Sequence, residues 1–170
     1  MALLPLDGNY VSYKTPWLTW SELLYGLQKG YIDDQGASSF ACNTLTTSSP
    51  EKAYQLSSLD PQELYLAQDL IESLASIEQT TKEDTISKPW IYLFLSHLFE
   101  NKDSFLEPLE KVEELYADLG YPEELSSIVR YMPLPEGEAG SEERLYANWK
   151  SVISAYEELF SLERNADKSS

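Results

Sequence analysis

The sequence predicts an all-α protein, and three observations carry this prediction. Apolar residues recur three or four positions apart in several segments, whereas runs of alternating polarity, such as Asn9–Tyr13, are short and isolated. Capping residues, prolines and glycines separate the periodic segments. The chain has 170 residues, of which 42% are hydrophobic and 12% aromatic, so it can bury one continuous core. We expect a single compact domain of about six to eight helices over residues 1–164, compatible with antiparallel helical hairpins, and a frayed tail over 165–170.

The first third of the chain carries several helix signals. Thr19-Trp20-Ser21-Glu22 has the form of a capping box, in which the Thr hydroxyl and the Glu carboxylate satisfy backbone amides at a helix start. Gly30 is a stop signal for that helix. A second helix is predicted from about Asp34 to Leu45, and Ser49-Pro50-Glu51 opens a short third one.

Asp60-Pro61 is the clearest helix start in the chain, because an Asp cap precedes a proline at the first helical position. We expect this helix to reach about Glu78 and to be followed by a polar loop over Gln79–Ser87. Its core-facing stripe is predicted to contain Leu64, Ala67, Leu70, Ile71 and Leu74. Its water-facing acids are predicted to be Asp69, Glu72 and Glu78.

The second half predicts four more helices. An apolar helix is expected over Trp90–Glu100, and another runs from Pro108 to Leu119, before Gly120 and Pro122. Pro122 opens a shorter helix, after which Pro133–Gly140 forms an exposed loop because proline and glycine cannot continue a helix. Ser141 caps the last helix, which is expected to end near Leu162. Its apolar face is predicted to contain Leu145, Trp149, Val152, Ile153, Tyr156 and Phe160.

Negative charge is concentrated in one stretch of the chain. Glu100–Glu143 holds thirteen Asp and Glu residues against Lys102, Lys111 and Arg130, and so carries ten of the seventeen excess negative charges. Within it the predicted helix from Pro108 separates into two faces. Leu109, Val112, Tyr116 and Leu119 are expected to point inward, and an acidic stripe to contain Glu107, Glu110, Glu114 and Asp118. Like charges at this spacing weaken a helix by roughly 0.2 to 0.5 kcal/mol per pair, so the stripe opposes the helix that carries it.

The residues that could carry chemistry are few. His97 is the only histidine, and no neighbouring residue completes a triad or a zinc site, so we interpret it as structural. Cys42 is the only cysteine and is expected to be buried as a small hydrophobic residue in a reducing compartment. Asp33–Gly36 resembles part of a calcium loop but is interpreted as a turn and helix cap, because the other ligand positions are not filled. We therefore predict no catalytic residues, no metal site and no cofactor.

Charge and hydropathy also limit the classes of partner. A net charge of −17 repels nucleic acid and anionic lipid, and the chain has no signal peptide and no run of roughly 20 apolar residues that could span a membrane. We expect a cytoplasmic protein. An acidic field attracts a basic protein, and Tyr121 and Tyr131 could supply contact area beside it. The candidate partner-binding residues are Glu107, Glu110, Glu114, Asp118, Tyr121, Glu123, Glu124, Tyr131, Glu136 and Glu138.

Two segments of the chain resemble a known family. Leu115–Glu124, continuing through Val129–Pro133, resembles a family of small acidic bacterial proteins classed as a domain of unknown function. Trp20–Ile32, with its Leu-Tyr-Gly-Leu core, is similar to that family as well. The resemblance implies an immunity protein, which binds and blocks a cognate polymorphic toxin in the cell that makes it. It carries no catalytic residue over to this chain.

Three functional hypotheses follow from these residues. The first is a cytosolic immunity protein that neutralises a basic toxin through the acidic surface. The second is a non-enzymatic adaptor or regulator that binds another basic protein. The third is a small helical enzyme that uses paired carboxylates such as Glu113 with Glu114, which would require a pocket lined by at least two acids. Adjacent helical residues point about 100° apart, and this disfavours the enzyme.

Overall fold

A computed structural model describes residues 5–78, 86–128 and 142–168, and within these ranges the chain is helical with no β-strand. This confirms the predicted all-α class. The α-helices in the described ranges are α1 Gly8–Lys14, α2 Trp20–Lys29, α3 Asp34–Thr44, α4 Glu51–Ser57, α5 Ala67–Ser76, α6 Lys88–Glu100, α7 Pro108–Asp118 and α8 Glu142–Lys168. Short 3₁₀ helices cover Pro61–Leu66, Lys102–Ser104 and Glu123–Leu125.

The capping signals before and after α2 act as the sequence predicts. Thr19 Oγ1 accepts a hydrogen bond from the Glu22 amide at 3.2 Å, and the Glu22 carboxylate accepts one from the Thr19 amide at 3.0 Å. Gly30 ends the helix in the left-handed conformation, with a φ of 81°, which glycine adopts without steric cost. α3 and α4 also begin at their predicted residues, Asp34 and Glu51.

The segment predicted as one helix from Pro61 forms a 3₁₀ helix followed by an α-helix. Asp60 and Glu63 form a capping box, but Pro61–Leu66 is a 3₁₀ helix and the α-helix begins only at Ala67. The Glu63 amide donates to the Asp60 carbonyl at 2.8 Å, which is the tighter i to i+3 pattern. Such tightening is common at the start of an α-helix, and capping signals do not distinguish the two helix types.

α1 occupies a segment for which the sequence predicts no helix. Its seven residues follow Asp7, whose carboxylate accepts a hydrogen bond from the Asn9 amide at 2.9 Å. α1 packs against α3. A side chain at Gly8 would overlap the carbonyl of Gly36, so the two backbones approach each other at these glycines. A short helix of this kind depends on packing more than on its own propensity, and for this reason the periodicity did not reveal it.

The chain forms two compact units, one within Leu4–Leu93 and the other within Phe94–Ser170, and the boundary falls inside α6. In the first unit α2 packs against α5, α3 against α4, and α4 against α5. Trp90 of α6 is fully buried there, and its Nε1 donates to the Glu22 carbonyl at 2.8 Å. Its ring lies 5.9 Å from that of Tyr31, so α6 is central to this core, as its apolar composition predicts.

The second unit contains the rest of α6 with α7 and α8. Trp149 of α8 is fully buried, its Nε1 donates to the Leu95 carbonyl at 3.1 Å, and its ring meets that of Phe99 edge to face at 5.2 Å. On the predicted apolar face of α8, Leu145, Tyr156 and Phe160 are buried as well, and Val152 and Ile153 are half-buried. α8 continues past the predicted end at Leu162 to Lys168. The expected domain limits, 1–164 with a tail over 165–170, stay a prediction.

Candidate functional site

The acidic candidate surface is built on α7. This helix begins at Pro108, whose missing amide proton costs nothing at the first helical position, and it ends at Asp118. Its inner face buries Leu109, Val112, Leu115 and Tyr116. Leu119, which the sequence predicts on that inner face, is half-buried after the helix end. Because one face is held in the core, the opposite face must point toward water.

Three of the four predicted stripe acids are exposed, and the fourth is not. Glu107, Glu110 and Asp118 are exposed on or beside α7. Glu114 is half-buried, and its Oε2 is shielded from solvent and lies 3.5 Å from the Lys111 ammonium. Its partial burial places Glu114 at the edge of the exposed face rather than at its centre. The ion pair with Lys111 offsets part of its charge.

The surface ends at an exposed tyrosine. Tyr121 follows α7 with 62% of its surface exposed, and its backbone takes a positive φ of 62° directly after Gly120 at 82°. Its amide donates to the Tyr116 carbonyl at 2.8 Å, and its ring meets that of Tyr116 edge to face at 5.2 Å. A positive φ is uncommon for a residue with a bulky side chain, and here it belongs to the turn that ends α7 and leaves most of the Tyr121 side chain in solvent.

The remaining predicted contact residues are placed only in part. Glu123 is exposed in the 3₁₀ helix Glu123–Leu125, which packs against α8. The side chain of Glu124 lies outside what the structure describes, as do Tyr131, Glu136 and Glu138. The described surface therefore consists of Glu107, Glu110, Glu114, Asp118, Tyr121 and Glu123, which we call the α7 surface. From Glu107 to Asp118 it extends for about 16 Å, at 1.5 Å per residue.

The residues considered for metal binding or catalysis lie in surroundings that are consistent with structural roles. Asp33 caps α3 by accepting a hydrogen bond from the Gly36 amide at 2.7 Å, as its interpretation as a cap predicts. Partial burial, and then the neighbouring Asp33 carboxylate, raise the pKa of Asp34 above its usual value. His97 is half-buried on α6, where Asn101 Nδ2 donates to its backbone carbonyl at 2.8 Å. Among the described residues no three or more His, Cys, Asp or Glu side chains are grouped to hold a metal ion.

The prediction that Cys42 is buried is wrong. Cys42 is exposed on α3, while the neighbouring Phe40 and Ala41 are in the core. Successive residues of a helix point about 100° apart, so apolar neighbours in sequence do not place a residue on their own face.

The prediction that Glu78 faces water is also wrong. Its carboxylate accepts hydrogen bonds from the Trp20 amide at 3.0 Å, the Ser21 amide at 2.7 Å and the Ser21 hydroxyl at 2.9 Å. These amides lie in the first turn of α2, where backbone N–H groups have no partner within the helix. No local pattern predicts this contact, because 57 and 58 residues separate the partners. Glu78 is thus a long-range helix cap.

A cleft in the first unit is not predicted from the sequence. Residues of α4, the 3₁₀ helix Pro61–Leu66 and α5 line this open cleft, whose volume is about 550 Å³. Leu59, Leu66 and Leu70 line it, and each is half-buried. Leu70 belongs to the stripe predicted to face the core, but its side chain is only half-buried. This partial exposure depends on how the helices pack, and the sequence pattern does not predict it.

The comparisons with known proteins place the chain within one family. Residues 9–156 match the model of DUF2247, described as an uncharacterized protein conserved in bacteria. No curated protein and no solved structure matches the chain. None of the helices within the described ranges combines the length and the hydropathy that a membrane span needs.

Proposed function

This chain belongs to the bacterial family DUF2247, and we propose that it is an immunity protein that neutralises a cognate polymorphic toxin through the α7 surface. The observation that carries the proposal is the row of exposed carboxylates, Glu107, Glu110 and Asp118, with the exposed ring of Tyr121 at its end. The row supplies a negative field toward a basic partner. The tyrosine supplies apolar contact area that becomes desolvated on binding.

The arrangement of these acids favours recognition over catalysis. A glycosidase that uses two carboxylates holds them on either side of the bond that it breaks. Glu107, Glu110 and Asp118 instead lie on or beside one helix and are exposed to water, rather than facing each other across a pocket. A partner protein can contact such a row along its whole length.

We expect the acids of the α7 surface to act during association and Tyr121 to act in the bound complex. The charges of Glu107, Glu110 and Asp118 act at a distance and raise the rate of encounter with a basic toxin. Tyr121 acts only on contact, where its exposed ring supplies apolar area that becomes desolvated. An inhibitor of this kind blocks the toxin by covering its active site or its substrate path.

The test compares two variants with equal net charge. One carries Glu107→Gln, Glu110→Gln and Asp118→Asn in the α7 surface. The control carries Glu51→Gln, Glu72→Gln and Glu158→Gln, three exposed acids elsewhere. Association with the toxin encoded by the adjacent gene is measured at low and high salt, together with rescue of cells that express that toxin. We expect the first variant to associate about tenfold more slowly than the control at low salt, with little difference at about 1 M salt.

Two results would contradict the proposal. The first is that no product of a neighbouring gene binds the protein or is neutralised by it. The second is that both variants associate at the same rate, or that the parent shows no salt dependence, because steering by the α7 surface requires both a difference between the variants and a dependence on salt. Circular dichroism of each variant verifies that the helical fold is retained.

The same exposed row also suits a second function, a non-enzymatic adaptor or regulator of another basic protein. The specific observation is the exposure of Glu107, Glu110 and Asp118, whose negative charge attracts any basic protein and not only a toxin. Gene neighbourhood separates the two functions. An adjacent gene that encodes a secretion domain with a variable C-terminal region favours the immunity protein, and its absence favours the adaptor.

A further inference from the structure

The cleft of the first unit has an apolar floor that remains partly open to solvent. Leu59 lies between α4 and the 3₁₀ helix, Leu66 ends the 3₁₀ helix, and Leu70 follows one turn later on α5. Each of the three leucines is half-buried, and all of them line the same space. A partner side chain that covers them removes apolar surface from water, and this is the main favourable term in association.

The rim of the cleft carries more negative than positive charge. Lys52 of α4 contributes one ammonium, and Glu63 and Asp69 contribute two carboxylates. In the part of the chain that the structure describes, Lys52 forms no ion pair with either acid. The carboxylate of Glu63 is held in place, because its Oε1 accepts a hydrogen bond from the Asp60 amide at 3.1 Å. The rim therefore presents a fixed acid that is not neutralised from across the cleft.

We propose that this cleft binds an amphipathic segment of a partner protein, with leucine-sized side chains on Leu59, Leu66 and Leu70 and basic side chains beside Glu63 and Asp69. The excess of carboxylates on the rim selects a basic segment. The half-exposed floor suits a polypeptide that covers it from above, since sites for small molecules usually enclose most of their ligand. A helix presents apolar and basic side chains at the spacing that such a groove requires.

The experiment uses two capped helical peptides and the full-length chain labelled with ¹⁵N. Both peptides carry leucine on one face, and the other face carries lysine in the probe and glutamate in the control. We expect the leucine and lysine peptide to shift the amide resonances of Leu59, Leu66 and Leu70 saturably at about 150 mM salt, where interactions of distant charges are screened. The glutamate peptide should leave these resonances unchanged.

Matched variants separate the cleft from the general acidity of the protein. Glu63→Gln with Asp69→Asn removes two charges from the rim, and Glu51→Gln with Glu72→Gln removes two exposed charges outside the cleft. The rim variant should bind the lysine peptide about tenfold more weakly, whereas the control should bind like the parent. Leu66→Ala should weaken binding without changing its salt dependence, because it removes apolar contact only.

Four outcomes would overturn the proposal. Shifts confined to the α7 surface would mean that the peptide responds only to the acidic field. An equal response to the glutamate peptide, or equal weakening in both charge variants, would remove the role of the rim. Saturation of the same amides by N-acetyl-leucine amide as tightly as by the peptide would make the cleft a small-molecule site. The cleft lies in the first unit and the α7 surface in the second, so either proposal can fail without the other.

Discussion

At the residue scale, Glu78 has the clearest effect on how the first unit is held together. Its two carboxylate oxygens accept from two backbone amides of α2 and from the Ser21 hydroxyl. The Thr19 and Glu22 capping box already satisfies two other groups at the same helix start. The first turn of α2 is thus capped both locally and from the end of α5, which fixes the two helices to each other.

We predict that Glu78→Ala lowers the free energy of unfolding by about 1 to 2 kcal/mol, because it leaves two partly buried amides without an acceptor and removes a negative charge from a helix start. Urea denaturation measures the change. The control is Glu72→Ala on α5, whose exposed side chain accepts a hydrogen bond from Gln68, and it should cost about 0.5 kcal/mol or less. Equal losses in both variants would mean that Glu78 does not act as a cap.

At the element scale, α2 and α6 are joined by a close approach. A Cβ atom at Gly26 would overlap the ring of Trp90, and this ring also donates its indole N–H to the α2 backbone at Glu22. Gly26 therefore makes room for the largest buried side chain of the first unit. The helical pattern of the sequence contains this glycine, but it does not show that Trp90, 64 positions later, needs the space that the glycine leaves.

We predict that Gly26→Ala destabilises the protein by about 1 to 3 kcal/mol, because the added methyl group forces Trp90 or α2 to move. In a helix without such a contact the same substitution is expected to stabilise by roughly 0.5 to 1 kcal/mol. The sign of the change in the free energy of unfolding, measured by urea denaturation, thus decides between the two cases. Gln28→Ala, at an exposed position of the same helix, serves as the control and should change stability by about 0.5 kcal/mol or less.

Some features of the helices follow from local sequence patterns, and others do not. The starts of α2 and α3 were predicted because their caps act within three or four residues. α4 also begins at the predicted residue, after Pro50, but no side-chain cap holds its first turn. α1 was missed, and Pro61–Leu66 forms a 3₁₀ helix rather than the expected α-helix. The inner face of α7 was largely predicted, since one periodic pattern specifies it. The partial burial of Glu114 was not, because it depends on where the core ends.

At the scale of the whole molecule, the net charge of −17 acts against compactness. Folding brings 29 acidic residues closer together than in the unfolded chain, while only 12 Lys and Arg residues are available to offset them. The apolar cores of the two units must outweigh this repulsion. A field of this sign repels other anions and attracts cations.

We predict that raising the NaCl concentration from about 10 to about 150 mM stabilises the protein at pH 7, because screening weakens repulsion between acids. A gain of roughly 1 kcal/mol corresponds to about 2 to 4 °C in the unfolding temperature of a chain of this size. Calorimetry measures the shift, and choline chloride at the same ionic strength controls for binding of sodium. A fall in the unfolding temperature with salt would mean that favourable ion pairs outweigh the repulsion.

The sequence by itself determined the helical class, most helix starts and the acidic face of α7. These depend on residues three or four positions apart, which interact in any helix that contains them. Only the tertiary structure decided that Glu78 caps α2, that Cys42 is exposed and that three leucines line an open cleft. Each of these results depends on what lies opposite a residue in space, and the neighbours of that residue along the chain do not specify it.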